Sequence, residues 1–192
     1  NDGARVKGVD GAFQEGKVFW LSGYQGRGKK RKGPVNFYFY NNTIYNDGSF
    51  VSQVAIDQTS KGILIANNIF YLKGGLKSVL GDQYKPDKES REKIENLIFS
   101  NNLFPDHALW PKETGISDVN PVYGNPSFSR EEGSSIEDYL PQNIKKINQQ
   151  GFNIERLPGD TLGLWLNLEV EKDMLGRSIP SKPFLGAIAP QK

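Results

Sequence analysis

Three segments of the chain align without a gap, and each carries two consecutive asparagines at the same position. The segments are NFYFYNNTIY (36–45), GILIANNIFY (62–71) and NLIFSNNLFP (96–105). Successive asparagine pairs are separated by 26 and then 34 residues. A self-similar period of about 20 to 50 residues is typical of proteins that stack one structural repeat on the next.

Large apolar residues alternate before each asparagine pair, and a short apolar run follows it, which predicts two strands joined by a bend. Asparagine suits such a bend because it tolerates the left-handed backbone region. In stacked coils the amides of successive pairs would meet and hydrogen-bond from coil to coil. The predicted ladder comprises Asn41, Asn42, Asn67, Asn68, Asn101 and Asn102. An antiparallel sandwich with accidental similarity is the alternative fold, but it would require more two-residue turns containing glycine.

If the asparagine pair separates the second and third strands of each coil, the first strands come earlier, at 18–22, 54–58 and 78–82. We therefore expect an all-β chain with coils in residues 1–128, long loops at 23–35 and 83–94, and a minimal connection at 59–61. Residues 129–192 are expected to close the same domain as an irregular segment. A short helix within 134–150 is expected to cover the end of the stack.

The FYNNTIY, IANNIFY and FSNNLF strands resemble those of pectate-lyase-like proteins, a family found in polysaccharide-degrading bacteria. A second resemblance lies in NPVYGNPSF (120–128), LPGD (157–160) and DMLGRSIPSKPFLGAI (173–188), which look like the closing segment of such proteins. The resemblance implies a right-handed parallel β-helix, of which this chain would be the C-terminal portion. It also implies a polysaccharide site in a groove over the first strands, and the chemistry of a lyase or a glycoside hydrolase.

The candidate site residues follow from that groove. Asp57 and Asp82 end neighbouring first strands and are the candidate carboxyl pair of a hydrolase, while Lys77 is a candidate catalytic cation or base for β-elimination. The candidate substrate-binding residues are Trp20, Arg27, Lys29, Arg31, Gln58 and Lys61. The alternative for the aspartates is a plain role in ending strands, and for Trp20 it is packing in the core.

The chain has a formal net charge of +2, yet five positive charges lie within residues 26–33, so the remainder is net acidic. The surrounding glycines and Pro34 predict an exposed loop, which would be either simply solvated or a contact for an acidic polysaccharide. Residues 23–29 match the start of a phosphate-binding loop, but Lys30 stands where a hydroxyl is needed and no helix is predicted to follow. Nucleotide binding is therefore excluded, and nucleic acid is not an expected partner.

The composition excludes several classes of protein. The chain has no cysteine, which rules out a disulfide scaffold and cysteine-ligated zinc, and no segment is apolar and long enough to span a bilayer. The sequence shows no metal motif and predicts no cofactor, although acidic groove residues are compatible with Ca²⁺. The glycine-rich residues 1–17 make a poor cap, so we expect further coils or another chain at the N-terminal end.

Three functions remain open from the sequence. The first is a carbohydrate-active enzyme acting on an extracellular polysaccharide, and the second is a noncatalytic glycan-binding or structural domain. The third is a polyanion-binding module that uses the basic loop. All three predict a secreted, periplasmic or cell-surface protein.

Overall fold

The computed structural model describes residues 6–7, 13–14, 17–82, 85–86, 94–106, 117–166 and 169–191. Nearly all regular structure within these ranges is strand, so the prediction of an all-β chain is confirmed. The strands are β1 (Val6–Lys7), β2 (Phe13–Gln14), β3 (Lys17–Leu21), β4 (Val35–Tyr40), β5 (Thr43–Asn46), β6 (Ser52–Ile56), β7 (Lys61–Ala66), β8 (Ile69–Leu72), β9 (Leu76–Asp82), β10 (Lys85–Pro86), β11 (Glu95–Ser100), β12 (Leu103–Phe104) and β13 (Val122–Tyr123).

From β3 to β9, consecutive strands belong to different sheets, and every third strand returns to the same sheet. The first sheet has the order β10-β9-β6-β3, the second β11-β7-β4 and the third β13-β12-β8-β5. Pairing is parallel throughout, except that β10 runs antiparallel to β9. We call β3, β4 and β5 the first repeat, β6, β7 and β8 the second, and β9, β11 and β12 the third. Separately, β1 and β2 pair with each other in antiparallel fashion.

The backbone register reproduces the sequence alignment of the repeats. Phe37 and Leu97 both pair with Ile63 in the second sheet, and Ile44 pairs with Phe70 in the third. The predicted first strands also pair with one another in one parallel sheet, with boundaries one or two residues earlier than expected. Residues that align in sequence are therefore stacked neighbours in the structure.

The two asparagines of each pair have different roles. The first is the bend, because Asn41, Asn67 and Asn101 adopt φ values of 54 to 55°, in the left-handed region that asparagine tolerates. The second makes the shorter hydrogen bonds between repeats: the Nδ2 of Asn68 donates to Asn102 Oδ1 at 2.9 Å and to the Phe39 carbonyl at 3.0 Å. Between the first asparagines, the Nδ2 of Asn67 donates to Asn41 Oδ1 at 3.4 Å.

A second left-handed position occurs five residues before each bend, at Asn36, Gly62 and Asn96. The middle position is a glycine with a φ of 61°, where a Cβ would lie 2.7 Å from Asn36 Oδ1, so a side chain there would displace the Asn36 amide. This second position in the repeat had no counterpart in the sequence prediction.

Alternation along each strand sends side chains to two separate apolar layers. Ile63 and Ile65 of β7 point into the interior formed by the three sheets, where they are fully buried. Leu64 and Ala66 point to the outer face and pack against Leu157. The second and third sheets are therefore apolar on both faces.

The C-terminal segment from residue 129 covers these outer faces. Leu157 lies on the second sheet, while Ile147, Phe184 and Leu185 pack against Ile69 and Leu103 of the third sheet, together with Tyr71 and Phe128. The expected helix is a single turn, α1 (Ile144–Ile147), preceded by a 3₁₀ turn at Glu137–Tyr139. A proline at position 141 separates the two turns, and proline does not continue a helix. Ile147 is fully buried on the face of a sheet, so α1 lies beside the stack and not over its end.

Within the described ranges, no helix has the length and apolar character that crossing a membrane requires.

Candidate functional site

The outer face of the first sheet differs from the other two. Neither outer apolar cluster includes a residue of β3, β6 or β9 among the described residues. Trp20 stands on this face with 46% of its surface exposed. An exposed tryptophan on a sheet that the C-terminal segment leaves open is where a ligand has access.

Lys17 lies beside Trp20 on the same strand. Its Nζ is 4.4 Å from the centroid of the indole ring, within the range of a cation–π interaction. The register of β3 against β6 shifts between Lys17 and Phe19, and such an irregularity re-aims the side chains around it. The result is a cationic and aromatic pair at the surface.

The basic loop (residues 22–34) leaves the C-terminal end of β3 and leads to β4. It turns where the N–H of Lys29 donates to the Gly26 carbonyl at 3.2 Å, and Gly26 and Gly28 have φ values of 114° and 74°. These angles favour glycine. Arg27, Lys29, Lys30 and Lys32 are exposed, so the loop presents four of its five charges to solvent.

Arg31 is the exception, because it ties the basic loop to the second repeat. Its Nη1 donates to Asp57 Oδ2 at 3.0 Å, and Asp57 is only 6% exposed. The other oxygen of Asp57 accepts hydrogen bonds from the N–H and the Oγ1 of Thr59, at 2.9 and 2.6 Å. Thr59 Oγ1 in turn accepts the N–H of Gly33 at 2.7 Å. This network holds the C-terminal end of the loop, and the N–H of Lys32 donates to the Gly23 carbonyl at 2.9 Å, which ties that end to the beginning.

Two glycines allow the basic loop to approach the turn at 57–60 so closely. A Cβ on Gly23 would lie 2.6 Å from Asp57 Oδ1, and one on Gly33 would lie 2.5 Å from the backbone nitrogen of Ser60. Both distances are shorter than side chains tolerate. The glycines are therefore part of how the sequence positions the loop.

The structure gives Asp57 an anchoring role, since both of its carboxyl oxygens accept hydrogen bonds that hold the loop. Asp82 ends β9, and its backbone pairs with Lys85, but its side chain lies outside the described part of the chain, as does that of Lys77. The pairing of Ile56 with Leu80 leaves Asp57 and Asp82 staggered by one residue. Their catalytic roles, and that of Lys77, stay predictions.

The remaining predicted binding residues are divided between two places. Gln58 is half-buried in the turn after β6, close in sequence to Asp57. Lys61 begins β7 in the second sheet, where its Nζ pairs with Glu95 at 3.2 Å, both side chains being about 60% exposed. Lys61 therefore already has a partner on the neighbouring strand. The predicted long loop at 83–94 lies almost wholly outside the described residues.

Sequence reasoning missed two residues of the site. Lys17 was not considered, although a lysine three residues before an exposed tryptophan is a visible signal. Tyr24 was also missed; it is 58% exposed at the start of the basic loop. An aromatic residue between glycines in a charged loop has no core to pack against, and that pattern could have identified it.

On the second sheet, a raised pKa marks a structural contact. Tyr38 donates to Asp160 Oδ2 at 2.6 Å and accepts the N–H of Leu157 at 2.7 Å. Burial and the neighbouring carboxylate raise the pKa of Tyr38 to about 12. The LPGD motif thus fastens the C-terminal segment to the second sheet.

No group of three or more His, Asp or Glu side chains converges in a way that would hold a metal ion within the described ranges. Ca²⁺ binding at the groove stays a prediction. No protein-family model matches the chain, and no curated protein matches it. The geometry of the first sheet is therefore the basis for assigning a function.

Proposed function

We propose that the protein is a right-handed parallel β-helix that binds an acidic polysaccharide on the outer face of the first sheet. The observation that carries this proposal is the exposed Trp20 with the half-buried Lys17 beside it, whose Nζ lies 4.4 Å from the ring centroid. The pair lies on the face that the C-terminal segment does not cover. The return of every third strand from β3 to β9 to the same sheet supports a solenoid of stacked coils, and parallel connections within a sheet are nearly always right-handed.

A uronic acid unit presents an apolar ring face and a carboxylate, and the pair offers a partner for each. The indole of Trp20 supplies a flat apolar surface for the ring. The ammonium group of Lys17 adds positive charge beside the ring, and positive charge favours an acidic sugar over a neutral one. A neutral sugar would use only the first of these contacts.

The basic loop extends the positive surface next to this pair. Arg27, Lys29, Lys30 and Lys32 are exposed, and clustered charge of one sign raises the local concentration of a polyanion. Arg31 is held by Asp57, so its role is to hold the loop in place. Fixing the loop before binding lowers the entropy that is lost on binding.

Binding is better supported than turnover. Asp57, the leading catalytic candidate, uses both oxygens in hydrogen bonds within the chain, which leaves it poorly placed to exchange a proton with substrate. A polysaccharide lyase or hydrolase stays the alternative from the sequence resemblance. We place the protein at the cell surface, in the periplasm or outside the cell, where such polysaccharides occur.

The test is a binding titration of the full chain with polygalacturonate, and with dextran as the neutral control. Trp20→Ala is expected to weaken binding to polygalacturonate about tenfold, equivalent to about 1.4 kcal/mol. Lys17→Gln is expected to weaken it less and to reduce its salt dependence. The triple variant Arg27→Gln, Lys29→Gln, Lys30→Gln is expected to remove most of the salt dependence.

Matched controls are available on the C-terminal segment. Leu162→Ala removes a side chain of similar exposure to Trp20, and Lys182→Gln removes an exposed charge; neither is expected to change affinity. Equal binding of dextran and polygalacturonate, or full affinity in Trp20→Ala, would contradict the proposal. Product release from polygalacturonate that is lost in both Asp57→Asn and Asp82→Asn would instead favour the enzyme.

A further inference from the structure

The hydrogen bonds between the second asparagines of the repeats all run in one direction. Asn42 donates its backbone N–H and its Nδ2 to Asn68 Oδ1, at 2.9 and 3.0 Å. Asn68 does the same to Asn102 Oδ1, at 3.0 and 2.9 Å. Asn102 does so to Asp118 Oδ2, at 3.1 and 2.6 Å. The ladder therefore ends, in the direction of the chain, on a carboxylate that has no hydrogen to pass on.

The other end of the ladder has an acceptor without a donor. No described residue donates to the Oδ1 of Asn42, whereas the corresponding atoms of Asn68 and Asn102 each accept two hydrogen bonds. The second hydrogen of the amide also differs. In Asn68 it reaches back to the carbonyl of Phe39 in the preceding repeat, while in Asn42 it turns to the carbonyl of Tyr40 in its own strand.

The apolar residues of the first repeat are also incompletely buried, on the side that faces away from the second repeat. At the aligned positions of the second repeat, Ile63, Ile65 and Phe70 are fully buried. Their neighbours Phe37, Phe39 and Ile44 face the same interior but are only partly buried. The strands β3, β4 and β5 that carry this repeat are all at the same edge of their sheets in the described structure.

A cavity of about 660 Å³ opens at this edge. Asn42 is among the residues that line it, so the unused acceptor of the ladder faces open space. Its wall includes Val18, Phe39 and Ile44 from the first repeat, and Met174 and Ile188 from the C-terminal segment. Three separate features, the acceptor, the half-buried side chains and the cavity, thus lie at one place.

We infer that the edge formed by β3, β4 and β5 is a docking surface for a further parallel coil that continues the asparagine ladder. This inference rests on the stacked architecture proposed above but not on polysaccharide binding. The coil must place a backbone N–H and a side-chain amide against Asn42 Oδ1, as Asn68 does against Asn102. Asparagine fits this position, whereas aspartate does not, because a carboxylate offers no donor.

Two other occupants fit the edge less well. A second copy of this chain stacked head to tail would bring Asp118 to Asn42, and two acceptors would meet. The strands β1 and β2 pair antiparallel with each other and so do not continue the parallel pattern. The repeated interface between coils is the one geometry that satisfies all three features.

The experiment adds a coil to the full chain. A second copy of residues 52–75, which is one whole repeat, is inserted between Glu15 and Gly16. The copied equivalent of Asn68 then precedes Asn42 by 34 residues, the separation found between Asn68 and Asn102. Amide hydrogen exchange of Phe37–Tyr40 is expected to slow at least tenfold relative to the unmodified chain.

In the matched control, the copied equivalent of Asn68 is replaced by aspartate. This control is expected to lose most of the protection of β4. Unchanged exchange in β4, or equal protection by the two copies, would overturn the inference. The inference would also be overturned if protection of β4 in the unmodified chain rose with protein concentration, because a second copy of the chain would then occupy the edge. None of these results depends on whether the protein binds polysaccharide.

An inserted coil that fails to fold would give no such reading, so the contact is also probed in trans. A peptide of residues 61–72 is titrated into the full chain while the side-chain amide resonances of Asn42 are followed by NMR. We expect these resonances to shift. The same shift should require at least a fivefold higher concentration of the Asn68→Asp peptide. Absence of any shift with the asparagine peptide would overturn the inference.

Discussion

The C-terminal segment covers the outer faces of the second and third sheets, whereas neither outer apolar cluster of the described residues includes a strand of the first sheet. On β7 and β8 the outward residues are Leu64, Ala66, Ile69 and Tyr71, all buried beneath the C-terminal segment. On β3 they include a half-exposed tryptophan next to a lysine. The interior side of all three sheets is equally apolar. The three sheets therefore differ in the residues on their outer faces. Those of the second and third sheets pack against the C-terminal segment, while those of the first sheet form the proposed binding surface.

The same contrast extends to the charges. On the covered side, two buried aspartates are matched within the chain, Asp160 by Tyr38 and Asp173 by Arg177. On the open side, one aspartate and one arginine anchor the basic loop, and its remaining cations face solvent. The first arrangement favours stability, and the second favours recognition of a polyanion.

The largest expected effect is on the covered side. Phe184→Ala removes a side chain that is 1% exposed on the third sheet and should lower the free energy of unfolding by about 3 to 5 kcal/mol. Chemical denaturation monitored by circular dichroism measures this. A loss below about 1 kcal/mol would show that the C-terminal segment is not part of the core.

Next is the ladder, tested by Asn68→Asp, which keeps the shape of a fully buried side chain. Both donors of the amide are lost, and a carboxylate is placed against the oxygens of Phe39 and Asn102. Each unsatisfied buried group costs about 1 to 3 kcal/mol, so the free energy of unfolding should fall by about 3 kcal/mol. Asn120→Asp is the exposed control, with an expected change within about 0.5 kcal/mol.

A smaller effect is expected from Asp57→Ala, which frees the basic loop without touching the interior. Loss of the partners of Arg31 and Thr59 should cost about 1 to 3 kcal/mol. Hydrogen exchange should become faster in residues 23–33 and stay unchanged in β8. Unchanged exchange in the loop would show that the anchor has no role.

Trp20→Ala is the counterpart of Phe184→Ala on the open side. Its side chain is about half exposed, so the free energy of unfolding should change by less than about 1 kcal/mol while polysaccharide affinity falls. If thermal denaturation of Trp20→Ala showed as great a loss of stability as Phe184→Ala, the contrast between the two faces would fail.

The smallest expected effect concerns pH. Burial holds the pKa of Asp118 above its ordinary value of 3.8, so the folded chain binds this proton more tightly than the unfolded chain does. Stability from this group is therefore greatest at low pH and declines as pH rises from about 3.8 through the higher folded pKa. The free energy of unfolding of the native chain, relative to that of Asp118→Asn, should be larger at pH 4 than at pH 7. The opposite trend would contradict the assignment.

The sequence predicted the strands well because the repeat encodes them. The sequence alignment of Phe37, Ile63 and Leu97 matches the observed strand register, because stacked repeats bury the residues at equivalent positions. The short helix was overestimated because the pattern of Ile144 and Ile147 is helical in spacing, while Pro141 limits the length. Local periodicity does not say how far a helix extends or which face it covers.

The site was predicted in outline only. Trp20 and the basic loop were identified because aromatic and charged residues are visible in a sequence. The anchoring of Arg31 by Asp57 was not, because it joins residues 26 positions apart through the approach of Gly23 and Gly33. A carboxylate at the end of a strand looks the same in sequence whether it anchors a loop or acts on a substrate.

The most direct test of the open face is the hydrogen-exchange footprint of polygalacturonate on the full chain. Our account predicts protection in residues 17–34 of β3 and the basic loop, lost in Trp20→Ala, with no change in residues 144–157 of the C-terminal segment. Protection confined to the C-terminal segment, or bound polysaccharide with no protection in β3, would contradict it.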